Sequence, residues 1–300
     1  MWGCERWLGQ RAPQTAAAIL RDAADALAAD ARPDRYGDGG VVEEFEGWMA
    51  SMLGTEAAAL FPSGTMTQQI ALRIHCERRG LDTVAFHPTC HLELHEHGGY
   101  AHLHGLKAEL AGERDRPLTR ADLDAVRARI GALLIELPQR EIGGRLPEWD
   151  ELGRQVQWAR DRGAAVHLDG ARIWESAPYY ERSHAEIAGL FDTVYVSLYK
   201  GLGGFAGSVL AGTEDVIAQA RVWRHRHGGT LSNLFPFAAG ALRGLDELVG
   251  QMPSFLAHAR GLAAALAALP GVSRAELNIG APALAVSPAE ATELFTALLR

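Results

Sequence analysis

The chain has 300 residues, 48% of them hydrophobic, which is enough for one large α/β domain with an appendage and a sizeable core. Against 37 acidic residues stand 29 basic ones, and a net charge of −8 argues against a nucleic-acid partner. Three cysteines without a CxxC pair argue against a disulfide framework, the first ten residues lack the apolar core of a signal peptide, and no uncharged run reaches a membrane span; the expected setting is cytoplasmic.

Residues 14–31 are alanine-rich and read as a helix that ends before Pro33. Residues 36–40, Tyr-Gly-Asp-Gly-Gly, are a loop. Val42, Phe45, Trp48, Met49 and Met52 then fall at helical spacing, and Gly54 is the stop. A short apolar run over 57–61 leads into Pro62, Ser63, Gly64, Thr65 and Met66, where a helix opens. Free N–H groups at a helix start bind anions, so Ser63, Gly64 and Thr65 are candidates for a phosphate cradle; ordinary Ser capping is the plainer alternative.

A strand over 83–86 enters a histidine-rich block that includes His87, His91, His95, His97, His102 and His104. His91 and His95 have i,i+4 spacing, but their order, H-L-E-L-H, is not that of zinc proteases. An imidazole stacked on a flat cofactor is preferred here to a metal site; a run of solvated histidines is the third reading. A helix is expected over 119–130 and a strand over 132–137 that delivers Glu136. The loop 138–147, which holds Arg140, has room for ligand contacts. A helix over 148–163 follows, and the alternation of strand and helix predicts a mostly parallel sheet covered on both faces.

Two stretches then dominate: V-H-L-D-G-A-R over 166–172 and T-V-Y-V-S-L-Y-K-G-L-G-G over 193–204. Each is a buried strand pattern that ends in a charged residue near glycine, which places Asp169 and Lys200 at the carboxyl edge of the sheet. A lysine there can form a Schiff base with an aldehyde, and an aspartate can keep a pyridinium nitrogen protonated. The pair suits pyridoxal 5'-phosphate, PLP. Beyond it lie a short strand over 210–212 and a helix over 213–227 with a basic end. Further helices are expected over 237–249, 255–269 and 288–299, with a turn at 270–272 and a weak strand at 284–286.

From residue 36 to residue 248 the chain resembles the low-specificity threonine aldolases of the β-eliminating lyase branch of fold-type I PLP enzymes. The likeness rests on Y-G-D at 36–38, P-S-G-T-M at 62–66 and H-x-x-x-x-E-x-G-G at 91–99. It also rests on Gly143-Gly144, H-L-D-G-A-R, S-L-Y-K-G-L-G and W-R-x-x-x-G-G at 223–229. The chain from about residue 255 onward reads as a small separate C-terminal lobe, residues 255–300, after a large domain, residues 1–254, to which the resemblance assigns PLP binding. The resemblance implies that Lys200 is the Schiff-base lysine, that Asp169 holds the pyridinium nitrogen, and that His91 stacks on the ring. Ser63, Gly64, Thr65 and Ser197 would bind the phosphate. Arg172 would grip the substrate carboxylate and contact the cofactor, with Tyr36 and Arg140 as further substrate contacts. His91 and Glu96 are both candidates for the base.

The chain departs from the family where substrate is held. After Glu136, L-P-Q-R-E replaces an E-N-T-H-N type continuation; Tyr199 precedes the lysine in place of serine; Ser232 stands at an expected arginine. Arg140 is a candidate replacement for a carboxylate-binding arginine of the C-terminal lobe. The expected activity is retro-aldol cleavage of a threonine-like β-hydroxy-α-amino acid to glycine and an aldehyde. A transaldolase or another β-eliminating amino-acid lyase is the alternative, and a non-catalytic PLP-fold module a third. A homodimer or homotetramer is expected, with the basic segment 224–227 as a candidate crossing contact.

Overall fold

The computed structural model describes residues 14–268 and the two strands 274–278 and 281–285. The elements are α1 (Ala16–Asp25), α2 (Gly40–Leu53), β1 (Ala57–Phe61), α3 (Gly64–Arg79), β2 (Thr83–Phe86), α4 (His91–His95), α5 (Gly99–His104) and β3 (Lys107–Leu110). They continue with α6 (Arg120–Asp124), β4 (Ala132–Glu136), α7 (Trp149–Asp161), β5 (Ala165–Asp169), α8 (Ile173–Tyr180), α9 (His184–Ala188), β6 (Thr193–Ser197) and β7 (Ser208–Gly212). Last come α10 (Glu214–Arg226), α11 (Phe235–Glu247), α12 (Met252–Ala267), β8 (Arg274–Asn278) and β9 (Ala281–Ala285).

The main sheet has seven strands in the order β1-β7-β6-β5-β4-β2-β3. All neighbours are parallel except those of β7, which runs against both β1 and β6. The expectation of a mostly parallel α/β sheet therefore holds. Strands β4 to β7 are buried along their whole length, as their unbroken apolar runs require. Side chains alternate between two faces. Leu133, Ile135, Val166, Leu168, Val194 and Val196 meet the layer that includes α2, α7 and α8. The opposite face meets α3 and its neighbours.

Several elements differ from the sequence reading. The helix expected over 119–130 stops at Asp124, because Gly131 must donate its N–H to Thr83 O at 2.8 Å to enter the sheet. Strand β3 was not anticipated, since Lys107 and Glu109 make it polar; it is the sheet's edge, paired on one side only. Helices α8 and α9 were not anticipated either; Pro178 sits inside α8. The helix read over 255–269 runs Met252–Ala267 and leads to a two-stranded antiparallel sheet of β8 and β9, where only one weak strand was expected. The turn at 270–272, the final helix at 288–299 and the N-terminal ten residues lie outside the described residues. Among the described residues no helix is long and apolar enough to cross a membrane.

Candidate active site

The sheet register assembles the site. Glu136 on β4 lies opposite Asp169 on β5, and Asp169 lies opposite Tyr195 on β6. Opposed residues share a face, so these three side chains form one row on the α3 side of the sheet, at the ends of its parallel strands. Ser197 ends β6 and pairs with Ser208 of β7, which in turn pairs with Phe61 at the end of β1. Helix α3 starts three residues later, at Gly64, so its N-terminus sits at the same edge.

Asp169 is buried, and Ala171 N–H donates to its Oδ1 at 3.1 Å, the one hydrogen bond its side chain makes among the described residues. Burial holds the Lys200 ammonium below the usual lysine range, while the nearby charges of Asp169 and Glu136 pull the other way. The Lys200 amine makes no hydrogen bond among the described residues and lies 5.9 Å from the centre of the Tyr199 ring. Arg172 caps α8 and acts electrostatically on Lys200. Its guanidinium has no carboxylate or carbonyl partner among the described residues.

His91 opens α4, and its Nδ1–H donates to Glu96 Oε1 at 3.2 Å. Glu96 is buried at the end of that short helix and also accepts from Gln69 Nε2 at 2.9 Å. The five-residue spacing of the histidine and the glutamate is thus one helical turn followed by a bend that brings them together. His95 is committed elsewhere: its Nε2 meets Glu141 Oε1 at 2.9 Å, and Arg140 joins the same carboxylate at 3.0 Å. Among the described residues no group of three His, Cys, Asp or Glu side chains could hold a metal ion.

At α3, Ser63 Oγ accepts from Met66 N–H at 3.3 Å, so the capping reading holds for that oxygen. Its hydroxyl proton remains available. Gly64 is buried, and a Cβ there would stand 2.2 Å from Tyr195 Oη; only glycine fits. Tyr36 is 53% exposed, its N–H donates to Ser232 O, and it shares no hydrogen bond or ion pair with the Lys200 group. Arg224, expected at a subunit contact, is 2% exposed and donates to Leu60 O at 2.6 Å inside its own chain. Only Arg226 and the neighbouring histidines of that segment remain at the surface.

Sequence reasoning passed over two carboxylates. Glu136 was placed at a strand end without a role; its oxygens accept from His91 N–H at 3.0 Å and Arg140 N–H at 3.1 Å. Glu175, one turn into α8 from Arg172, has a buried Oε2 without a hydrogen-bond partner, and burial pushes its carboxyl up to about 7. The signal for it was an acidic residue three positions after Arg172 within the apolar run I-W-E-S-A.

A buried acid, a partly buried and desolvated lysine, an imidazole wall and a helix N-terminus at one sheet edge of an α/β protein are groups that fit PLP chemistry. The chain belongs to the beta-eliminating lyase family, whose sequence profile matches residues 13–281. It is 34% identical over 227 residues to the aldolase vrtJ of Penicillium aethiopicum, covering 73% of this chain and 58% of that one. It is 31% identical over 236 residues to the low specificity L-threonine aldolase of Escherichia coli K12, covering 75% and 69%. A crystal structure of a candidate L-allo-threonine aldolase from Listeria monocytogenes matches with a TM-score of 0.86 and 42% identity, covering 88% of this chain and 74% of that one. The chain spans 58% of the Penicillium relative and 65% of an Arabidopsis thaliana threonine aldolase that it also matches. Family and fold imply dependence on PLP, and the residues present fit it: Asp169 keeps acceptor capacity, Lys200 makes no hydrogen bond among the described residues, and glycine at 64 lets the N-terminus of α3 pack close against Tyr195 at the sheet edge.

Proposed function

We propose that the protein is a PLP-dependent aldolase that cleaves a threonine-like β-hydroxy-α-amino acid between Cα and Cβ, giving glycine and an aldehyde. The observation that carries this reading is the placement of buried Asp169 and desolvated Lys200 at one sheet edge, beside the His91–Glu96 pair. When bound, the cofactor supplies an aldehyde for amines and a protonated ring that draws electrons from the bonds at Cα.

The chain's own residues do the rest. Asp169 holds a proton on the ring nitrogen by direct charge attraction. The free N–H groups of Gly64 and Thr65, with the hydroxyls of Ser63, Thr65 and Ser197, receive the phosphate. Desolvation keeps the Lys200 amine unprotonated at a lower pH than a solvated lysine, which favours condensation. Arg172, whose guanidinium has no partner among the described residues, takes the substrate carboxylate through two parallel hydrogen bonds. His91 is the base. Its Nδ1–H is fixed on Glu96, so Nε2 carries the lone pair that accepts the β-hydroxyl proton as the Cα–Cβ bond breaks. Glu96 orients it, since the Glu96 oxygens are already occupied by His91 and Gln69.

A catalytically silent module has no use for a desolvated lysine and a buried acid in one site. We also carry forward a large domain over 1–254 and a small lobe over 255–300, supported by the separate sheet of β8 and β9. A homodimer or homotetramer is supported by the exposed Tyr199 and Phe205 around the lysine loop; light scattering tests it.

PLP added to the purified protein should give a visible absorbance band that Lys200→Ala lacks, and L-allo-threonine should release glycine and acetaldehyde in equal amounts. A band without cleavage of any β-hydroxy amino acid refutes the aldolase reading and leaves cofactor binding standing. No band refutes both.

A further inference from the structure

Glu136 is a buried acid, outside the roles given above, that ties two separate segments to the sheet edge. Its Oε2 takes the N–H of His91, the first residue of α4, and its Oε1 takes the N–H of Arg140, the first residue of a short 3-10 turn over Arg140–Ile142. Gln139 Nε2 lies 3.4 Å from the same Oε2 and also 3.4 Å from Thr89 Oγ1. One side chain at the end of β4 therefore fastens two segments 45 and 4 residues away from it. One bears the imidazole wall and the other the Arg140 loop.

The same side chain stands opposite Asp169 in the register of two parallel strands. Two carboxyls on one face of adjacent strands, both nearly free of water, compete for negative charge. Burial first and the Asp169 charge second push the Glu136 carboxyl well above the usual carboxylate range. The N–H groups of Arg140 and His91, and then the Lys200 charge, offset this only in part. A protonated carboxyl keeps enough acceptor capacity for two N–H donors, one on the carbonyl oxygen and a weaker one on the hydroxyl oxygen.

We propose that Glu136 is a positioning residue of this site: it sets His91 and the Arg140 loop against the sheet edge, and it carries the proton that lets Asp169 keep the one negative charge of the pair. Its neutrality concentrates that charge at Asp169, where the reading of the site as a PLP pocket needs it. The inference rests on that reading for its purpose, but its tests use the cofactor-free chain and can fail separately from it.

Hydrogen exchange reads the fastening. In Glu136→Gln one of the two N–H groups faces an amide NH2 in place of an oxygen, so the amide of His91 or of Arg140 should lose protection about tenfold or more, while amides within β4 and β5 keep theirs. Unchanged protection at both positions overturns the positioning role. Infrared titration reads the proton. The parent should show the C=O band of a protonated carboxylic acid at neutral pH that Glu136→Gln lacks. In Asp169→Asn, where the competing charge is gone, the midpoint of the Glu136 band should fall. A parent spectrum identical to that of Glu136→Gln, or a midpoint that ignores Asp169→Asn, overturns the shared charge. Should Glu136→Gln fail to fold, the Asp169→Asn titration still decides the question on an unaltered Glu136.

Discussion

Gly64→Ala is the sharpest test of how α3 meets the sheet. The added Cβ would stand 2.2 Å from Tyr195 Oη and 2.6 Å from Cζ, whereas ordinary contact begins at 3.4 Å. A gap of 3.4 − 2.2 = 1.2 Å must open. Tyr195 cannot yield it, because it is 2% exposed on β6, which is paired on both sides. The N-terminus of α3 moves instead. A displacement of that size stretches an N–H···O bond of ~2.9 Å to ~4.1 Å, which is no longer a bond. Losing one charge-assisted bond of ~1.5–3 kcal/mol weakens PLP binding roughly 10- to 150-fold. Overpacking costs a further ~1–3 kcal/mol of fold stability. Absorbance titration with PLP and a thermal melt, run side by side, separate the two effects. In a Tyr195→Phe background the shortfall is 3.4 − 2.6 = 0.8 Å, so affinity should recover in part. Parent-like affinity in a folded Gly64→Ala protein would refute the assignment of this helix end to the phosphate.

Two other predictions concern the scaffold. Arg224→Ala should destabilise the fold by about 3 kcal/mol in urea denaturation, at the low end for a broken buried pair because Arg221 still neutralises Glu46. A loss under 1 kcal/mol would refute the network that joins α2, β1 and α10. His75 Nε2 and His167 Nδ1 share the Thr193 hydroxyl at 2.7 and 2.8 Å, and burial holds the two imidazoles down to about 4 and about 3. Both are depressed below the usual 6.5, so their stabilisation is complete above that pH and is lost as pH falls toward 4 and 3. Glu175, held up to about 7, works in the opposite sense, so the comparison is between parent and variant. His167→Leu should remove ~1.4 kcal/mol per pH unit of acid sensitivity within that window, from 6.5 down to about 3. Parallel stability curves for the two proteins would show that His167 is not held neutral.

The legible parts of the fold were those with a strong local pattern. The strand Thr83–Phe86 and the run Ala57–Phe61 are continuous apolar segments bounded by polar or breaking residues, and both stand where the pattern put them. Lys200 and Asp169 were legible for the same reason, as charges that end such runs. What stayed hidden depends on strand order. Nothing in the order of residues says that Glu136 faces Asp169, since that needs β4 beside β5 in register. Arg224 reads as one more cation in a basic helix end, yet one face of that end packs on β1 and takes Leu60 O. The 119–130 helix failed because Leu123, Val126 and Ile130 keep helical spacing while the chain is already descending to the sheet.

The departures from the family near the substrate leave two arginines as candidates for its carboxylate, and the structure separates them. Arg140 already holds Glu141 at 3.0 Å and lies 3.3 Å from His95, so it must surrender one carboxylate to take another, with little net gain. Arg172 has no such bond to surrender: its charge bears on Lys200 and Glu175, and its guanidinium has no hydrogen-bonded partner among the described residues. Moreover, it is three residues from Asp169 on a turn that Gly170 fixes by donating to Tyr195 O at 2.9 Å, so its backbone position is set by the sheet. Arg172→Lys keeps the charge and loses the paired geometry, a loss of ~1.5–3 kcal/mol for one charge-assisted bond, or roughly 10- to 150-fold in kcat/KM. Arg140→Ala should change the same quantity less than about fivefold, by an exposed ion pair's worth of under ~1 kcal/mol. Steady-state kinetics with L-allo-threonine rank the two. If Arg140→Ala is the more damaging, Glu141 releases Arg140 to the substrate, and the second arginine of the site lies in the loop after β4.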